Sequence, residues 1–257
     1  MTQEETPRFA SIWVQQGGPA VEARHNLDSD QHQQAVTDLF NSGFRPICVS
    51  GYTINNKPHF ASIWEQQDGP AMVERHNETS EQFAQTASDL YPKGFAPVYV
   101  DIYTVDNERR YATIWMQADP EMRLEWRDNQ DRTDYLYATN VFGDDGLRPV
   151  CVTSYATSEG VRHTGIWQLE TNSAWYYALN RNHDEHQLVV DKCFSNGYRP
   201  VFVGGYTRND EPRLHSIWLK EGGPPVQTRH GQSADQYQQT VNDLFSNGFR
   251  PICVTGY

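Results

Sequence analysis

No stretch of this sequence reaches 18 consecutive apolar residues, so no membrane insertion is expected. The opening Met-Thr-Gln-Glu-Glu-Thr-Pro lacks the basic and apolar regions of a secretory signal, which points to a cytoplasmic location or to export by a non-classical route. Basic residues are scarce: 21 Lys and Arg against 33 Asp and Glu leave a formal charge of −12. That balance argues against nucleic acid, whose binding depends on Lys and Arg releasing counterions, and it favours neutral or cationic partners. Hydrophobic residues make up only 37% and mean hydropathy is −0.74, low for one large core. Aromatics at 12% compensate in part, which implies small cores under a polar surface.

Catalytic signatures are missing too. The lysines are Lys57, Lys93, Lys192 and Lys220, and none has a serine three residues before it, so Ser-x-x-Lys does not occur. Gly-x-Ser-x-Gly and His-Glu-x-x-His are also absent. The four cysteines include no Cys-x-x-Cys. Cys48, Cys151 and Cys253 share a column with Tyr99 and Phe202, and Cys193 stands in a column of leucines, so all four read as buried packing residues. His183-Asp184-Glu185-His186 gives a weak zinc signal against the simpler reading of a solvated helix start. No cofactor and no metal are expected.

What the chain does contain is a repeat. Trp13, Trp64, Trp115, Trp167 and Trp218 are spaced 51, 51, 52 and 51 residues apart, each in a version of Phe-Ala-Ser-Ile-Trp. A fixed period of this size implies a repeat architecture. In the last copy Ser233-x-x-Gln236 is a capping box, and Tyr237, Val241, Leu244 and Phe245 form the apolar stripe of a one-sided helix. Gly248 then supplies a left-handed stop, as do Gly43, Gly94, Gly146 and Gly197. A β-rich run such as Ile47–Tyr52, a polar turn over 53–58 and the run Phe60–Trp64 predict a hairpin, with a third short run at 71–76.

The sequence opens on the second strand of such a hairpin and closes on a first strand. Pairing the two would remove both free edges. The expected fold is therefore an α/β repeat protein: a closed, propeller-like toroid of five pseudo-symmetric units, each of two or three short antiparallel strands plus one helix. It would form one domain over 1–257, with repeats near 8–59, 60–110, 111–162, 163–213 and 214–257, the last completed by the N-terminal strand. An open solenoid is the alternative, but it calls for polar capping repeats that the sequence does not have.

The combination of Ile-Trp, Arg-His, Ser/Thr-x-x-Gln-Tyr/Phe, Gly-Phe-Arg-Pro and Val-Ser-Gly-Tyr resembles the bacterial tandem repeat domain family. The likeness covers essentially the whole chain and is strongest at 8–59, 60–110 and 214–257. It weakens where Glu125-Trp126-Arg127 and Ala178-Leu179-Asn180 replace Arg-His. In that family the repeats are attached to serine hydrolases of the β-lactamase type, including polyglycine hydrolases, and the resemblance implies an accessory or binding module.

Three sets of residues are candidates for binding. Strand alternation puts the five tryptophans on one face with Phe9, Phe60, Tyr111, His163 and Leu214, either packed under the helix or forming pocket floors for sugar rings or cations. Arg8, His59, Arg110, Arg162 and Arg213 form a basic column, either an anion-binding ring or hairpin-end ion pairs. Arg24-His25, Arg75-His76 and Arg229-His230 occur in only some units, whereas core packing tends to be kept in every unit of a closed ring; they read either as a binding site or as structural pairs capping neighbouring backbone. Gln15, Gln16, Gln66 and Gln67 add amides suited to hydroxyl-rich ligands.

The leading expectation is a multivalent, lectin-like module for carbohydrate or another polar cell-surface polymer, with weak sites gaining avidity from one rigid body. The alternative is a protein- or peptide-binding scaffold of a serine hydrolase system. A third reading is a guanidino-modifying enzyme that uses Cys253 with His163 or His215.

Overall fold

The computed structural model describes residues 6–119, 122–170 and 173–257. It begins with β1 (Phe9–Gln15), after which one order of elements recurs: edge strand, helix, inner strand, tryptophan strand. The first unit is β2 (Val21–Asp28), α1 (Ser29–Asn41), β3 (Phe44–Ile54) and β4 (Lys57–Gln66). The second is β5 (Met72–Glu78), α2 (Ser80–Leu90), β6 (Phe95–Val105) and β7 (Glu108–Gln117), with a 3-10 turn at Tyr91–Lys93. The third is β8 (Leu124–Gln130), α3 (Arg132–Asp144), β9 (Leu147–Thr157) and β10 (Gly160–Leu169). The fourth is β11 (Trp175–Arg181), α4 (His183–Ser195), β12 (Arg199–Arg208) and β13 (Glu211–Leu219). The last, β14 (Val226–Gln232), α5 (Ala234–Ser246) and β15 (Phe249–Gly256), takes β1 as its tryptophan strand.

Each unit is a separate three-stranded antiparallel sheet with the tryptophan strand in the middle: β2-β4-β3, β5-β7-β6, β8-β10-β9, β11-β13-β12 and β14-β1-β15. The first and last strands pair, with Ile12 opposite Cys253. The folded unit is out of phase with the tryptophan-to-tryptophan copy, because each third run joins the sheet of the hairpin that follows it. Among the described residues the inner strands β3, β6, β9, β12 and β15 lie side by side in that order, and β15 lies beside β3.

Local chemistry explains the elements. Capping boxes start four helices: Asp28 with Gln31, Thr79 with Gln82, Asn182 with Glu185 and Ser233 with Gln236. In α3 Asp131 caps alone, accepting from the Asp134 N–H. Gly43, Gly94, Gly146, Gly197 and Gly248 adopt φ of 74 to 81° after the helices, a conformation that carries no Cβ penalty in glycine. The hairpin turns are tighter than the sequence suggested. Asn55-Asn56, Asp106-Asn107 and Asn209-Asp210 have both φ positive, the two-residue turn whose twist matches the flanking strands.

The tryptophans make the core. All five are fully buried, and each lies 5.2 to 5.7 Å from a ring of its covering helix or turn: Phe245, Phe40, Tyr91, Phe142 and Phe194 in turn. Trp13, Trp64, Trp115 and Trp218 donate Nε1–H to the hydroxyl two residues before, at 2.8 to 3.0 Å. Trp167 follows Gly165 instead, and its Nε1 has no partner.

The inner strands meet in an apolar layer and a polar one. Cys151 and Cys253 donate Sγ–H to Val100 and Val203 carbonyls, and all four cysteines are free and buried. One residue pair along, side-chain oxygens accept backbone N–H groups from the neighbouring strand: Gly256 to Ser50, Gly51 to Asp101, Ile102 to Thr153 and Gly205 to Thr255. Asp101 is the one carboxylate among these acceptors.

Candidate functional site

Each edge strand carries a bulge that aims the Arg-His positions. Register slips between Arg24 and Leu27, between Arg75 and Glu78, and between Ala178 and Arg181. The bulged residue has φ of 53 to 69° and is Asn26, Asn77, Asn129, Asn180 or Gly231. A tyrosine of the inner strand holds it. Tyr52 and Tyr257 accept from the backbone of Asn26 and Gly231, while Tyr103, Tyr155 and Tyr206 donate to the side chains of Asn77, Asn129 and Asn180. Bulges commonly redirect side chains in this way. The register puts Arg127 in the arginine column and Asp128 in the histidine column of the third unit.

The three histidines then point at the helix of the preceding unit. His25 Nε2 lies 2.9 Å from Gln238 Oε1 of α5, and its ring packs edge-on against Tyr237. His230 Nε2 lies 3.1 Å from Gln187 Oε1 of α4, with its ring 5.0 Å from His186. His76 sits 4.6 Å from His32 of α1, ring to ring, and its Nδ1 is 3.1 Å from Glu74 Oε2. Glu74 also meets His32 Nε2 at 3.2 Å through Oε1, and its side chain is 1% exposed. Burial alone would raise the Glu74 pKa, but its bonds to His32 and His76 outweigh that and hold it below the usual carboxylate value. At the α4–β14 junction, where Thr228 stands in the position of Glu74, burial pushes His186 down to about 3, and neither of its ring nitrogens has a partner.

Grooves run along two of these junctions. One, of about 440 Å³, is lined by Gln33, Val36, Thr37, Phe40 and Asn41 of α1 and by the consecutive residues Met72–His76 of β5. The other, of about 460 Å³, is lined by Gln187, Val190 and Phe194 of α4 and by Val226–His230 of β14. Both are one helix face set against the outer edge of a sheet. In β5, Ala71 accepts from the Gln117 N–H, so alternation turns the N–H and C=O of Met72 and Glu74 outward. The arginines cap these outward carbonyls: Arg24 donates to Ala23, Arg75 to Glu74 and Arg229 to Thr228, at 2.9 to 3.2 Å.

The other sequence candidates lie elsewhere. Trp13, Trp64, Trp115, Trp167 and Trp218 have no exposed surface, so the packing alternative describes them and the pocket-floor alternative does not. In the basic column, Arg110, Arg162 and Arg213 pair with Glu108, Glu159 and Glu211 beside their own hairpin turns. Gln15 and Gln66 donate to the carbonyls of Asn247 and Ser42 at helix ends. Cys253 is 2% exposed, while His163 is bonded to Ser154 and His215 to the Asn180 N–H, so the three do not form a reactive set. Burial pushes the thiols of Cys48 and Cys151 up, away from thiolate chemistry. In the 183–186 stretch, Asp184 and Glu185 face solvent while His186 is buried, so those four donors diverge. The sequence reading missed His32 and Glu74; the available signal was the one acid, Glu74, in a column otherwise of Ala23, Trp126, Tyr177 and Thr228, and the histidines His32 and His186 in a column otherwise aromatic.

No helix among the described residues is long and apolar enough to cross a membrane. The family described as polyglycine hydrolase-like structural repeat matches residues 18–67, 69–118, 125–168, 172–221 and 223–257, each match spanning one edge strand and its helix. No curated protein matches the chain.

Proposed function

Because this chain belongs to the polyglycine hydrolase-like structural repeat family, we propose that it is a non-catalytic, multivalent binding module that takes extended peptide in the grooves between units. The observation that carries this reading is the groove built twice to one plan, a helix face opposite the outward edge of a bulged strand. Such an edge offers backbone donors and acceptors to an added strand, and it can read a segment with little side chain. Glycine-rich peptide is the ligand class that fits both this edge and the family description. The neighbour order of the inner strands supports a closed toroid forming one domain over 1–257, which would hold the grooves in fixed relation and allow avidity.

Carbohydrate is the second ligand class. The glutamine and arginine side chains of the grooves suit hydroxyl groups, but the buried indoles remove the stacking platforms that a lectin-like site would use. The test is titration of the full chain with glycine-rich peptides and, separately, with oligosaccharides, followed by amide NMR or calorimetry. Met72→Pro removes an outward N–H while leaving the β5–β7 ladder intact. Peptide binding that Met72→Pro weakens is the expected result. Saccharide binding without peptide binding would replace the peptide reading, and binding of neither would end both.

A further inference from the structure

We propose that His32, Glu74 and His76 form a binding site for one divalent transition-metal ion, with zinc as the preferred occupant, at the junction of α1 and β5. The inference is independent of the peptide reading. It starts from a break in the repeat. The column of Glu74 holds Ala23, Trp126, Tyr177 and Thr228 in the other edge strands, and the column of His32 holds Phe83, Tyr135, His186 and Tyr237 in the other helices. Other junctions fill this place with rings: Phe83 lies 5.5 Å from Trp126, Tyr135 6.5 Å from Tyr177 and Tyr237 5.0 Å from His25. The fold thus has a neutral, well-packed solution, and this junction alone buries a carboxylate between two imidazoles.

The geometry suits a metal. One ring nitrogen of His32, one Glu74 oxygen and one ring nitrogen of His76 lie within 4.8 Å of one another. His32 Nε2 is 3.2 Å from Glu74 Oε1 and His76 Nδ1 is 3.1 Å from Oε2, so the carboxylate bridges the two rings through different oxygens. Ligand atoms at about 2.0–2.1 Å from a tetrahedral zinc stand about 3.3 Å apart, so a turn of the carboxylate that brings one oxygen between the rings, with each imidazole carrying its proton on the other ring nitrogen, would admit an ion. His76 is the side chain of the three with some exposure and so has the most room to turn toward an ion. His32 is fixed by stacking on Phe60 at 4.8 Å. Two imidazoles and one carboxylate favour zinc, cobalt or nickel over magnesium or calcium, which require more oxygen ligands. The fourth position opens on the groove that Glu74 and His76 line, where water or a groove ligand would complete the shell.

The test uses the full chain without an affinity tag, stripped with chelator and titrated with zinc by calorimetry and with cobalt by visible absorption. One equivalent should bind in the micromolar range or tighter, with a tetrahedral cobalt spectrum. Glu74→Gln and His76→Gln should each weaken binding by at least about 100-fold, while His230→Gln, the same position at the α4–β14 junction, should leave it unchanged. Circular dichroism of each variant checks the fold; His76→Gln, at the partly exposed ring, is the variant best placed to pass. Absence of binding, binding indifferent to both Glu74→Gln and His76→Gln in folded protein, or binding lost in His230→Gln overturns the proposal.

Discussion

Two buried carboxylates interrupt neutral columns of this repeat, and their surroundings drive them in opposite directions. Glu74, in the outer junction, faces two imidazoles and is held ionised. Asp101, in the layer of inner strands, is met by a hydroxyl of Thr153 and the backbone N–H groups of Gly51 and Ile102, and burial pushes it from 3.8 up to about 6. Neutral donors soften the desolvation of a carboxylate, whereas groups that can carry positive charge reverse it. One frame therefore hosts an acid held ionised by its bonds to two imidazoles and another poised to take up a proton.

Removing Glu74 should have the largest effect. In metal-free protein Glu74→Ala strands two buried imidazoles and opens a cavity, and it should cost about 2–4 kcal/mol of stability by denaturant unfolding. Thr228→Ala, its counterpart at the α4–β14 junction, loses one hydroxyl bond to the Ser11 carbonyl and should cost about 1 kcal/mol or less. Equal losses in the two variants would mean that the acid is not the organising group at its junction.

Asp101→Thr should act in the other direction. The native Asp101 binds its proton more tightly than an unfolded aspartate does, so stability falls as pH rises from about 4 to above 6. A shift of this size corresponds to on the order of 2–3 kcal/mol at neutral pH. Thr153 and Thr255 already fill the same column, so threonine fits there. Asp101→Thr should therefore raise stability by about 1–3 kcal/mol at pH 7.5, a gain that shrinks toward pH 4. A pH-independent gain, or a loss at pH 7.5, would show that burial does not govern Asp101.

A transplant sharpens the contrast between junctions. His186 and His230 already sit as His32 and His76 do, and Thr228 stands in the column of Glu74. Thr228→Glu should cost about 1–2 kcal/mol in metal-free protein, since the new acid pays for burial before its partners charge. In exchange it should raise zinc stoichiometry from one to two. Stoichiometry that stays at one would mean that the α4 rings cannot reach the new carboxylate.

The contrast also separates what the sequence made legible from what it did not. The tryptophan period, the capping boxes at Asp28, Thr79, Asn182 and Ser233 and the glycine stops were readable because each is set by local spacing. Pairing of β1 with β15 followed from the incomplete hairpins at the two ends. The tryptophan face was readable too, but which layer covers it was not, since alternation names a face without naming its neighbour. The junction chemistry was hidden for a different reason. His32 and Glu74 stand 42 residues apart and in different units, and only the packing of α1 against β5 brings them together. The Arg-His pairs were legible as variable positions, but the bulge at Asn77 that turns His76 toward α1 leaves no mark beyond an asparagine.

The smallest effect on stability should come from Arg75, and its effect on binding carries the most information. The side chain is exposed and folds back to donate to the outward carbonyl of Glu74, so Arg75→Ala should change stability by no more than about 0.5 kcal/mol. In binding, the sign distinguishes the ligands. An added peptide strand would claim that carbonyl with its own N–H and must first displace the guanidinium. Removing the arginine then tightens peptide binding, by up to about ten-fold if one net hydrogen bond is at stake. An anionic saccharide would instead use the guanidinium directly, and Arg75→Ala would weaken it by a similar factor. Calorimetry of the one variant against both ligand classes therefore reads whether the edge of β5 is recognised through its backbone or through its charge.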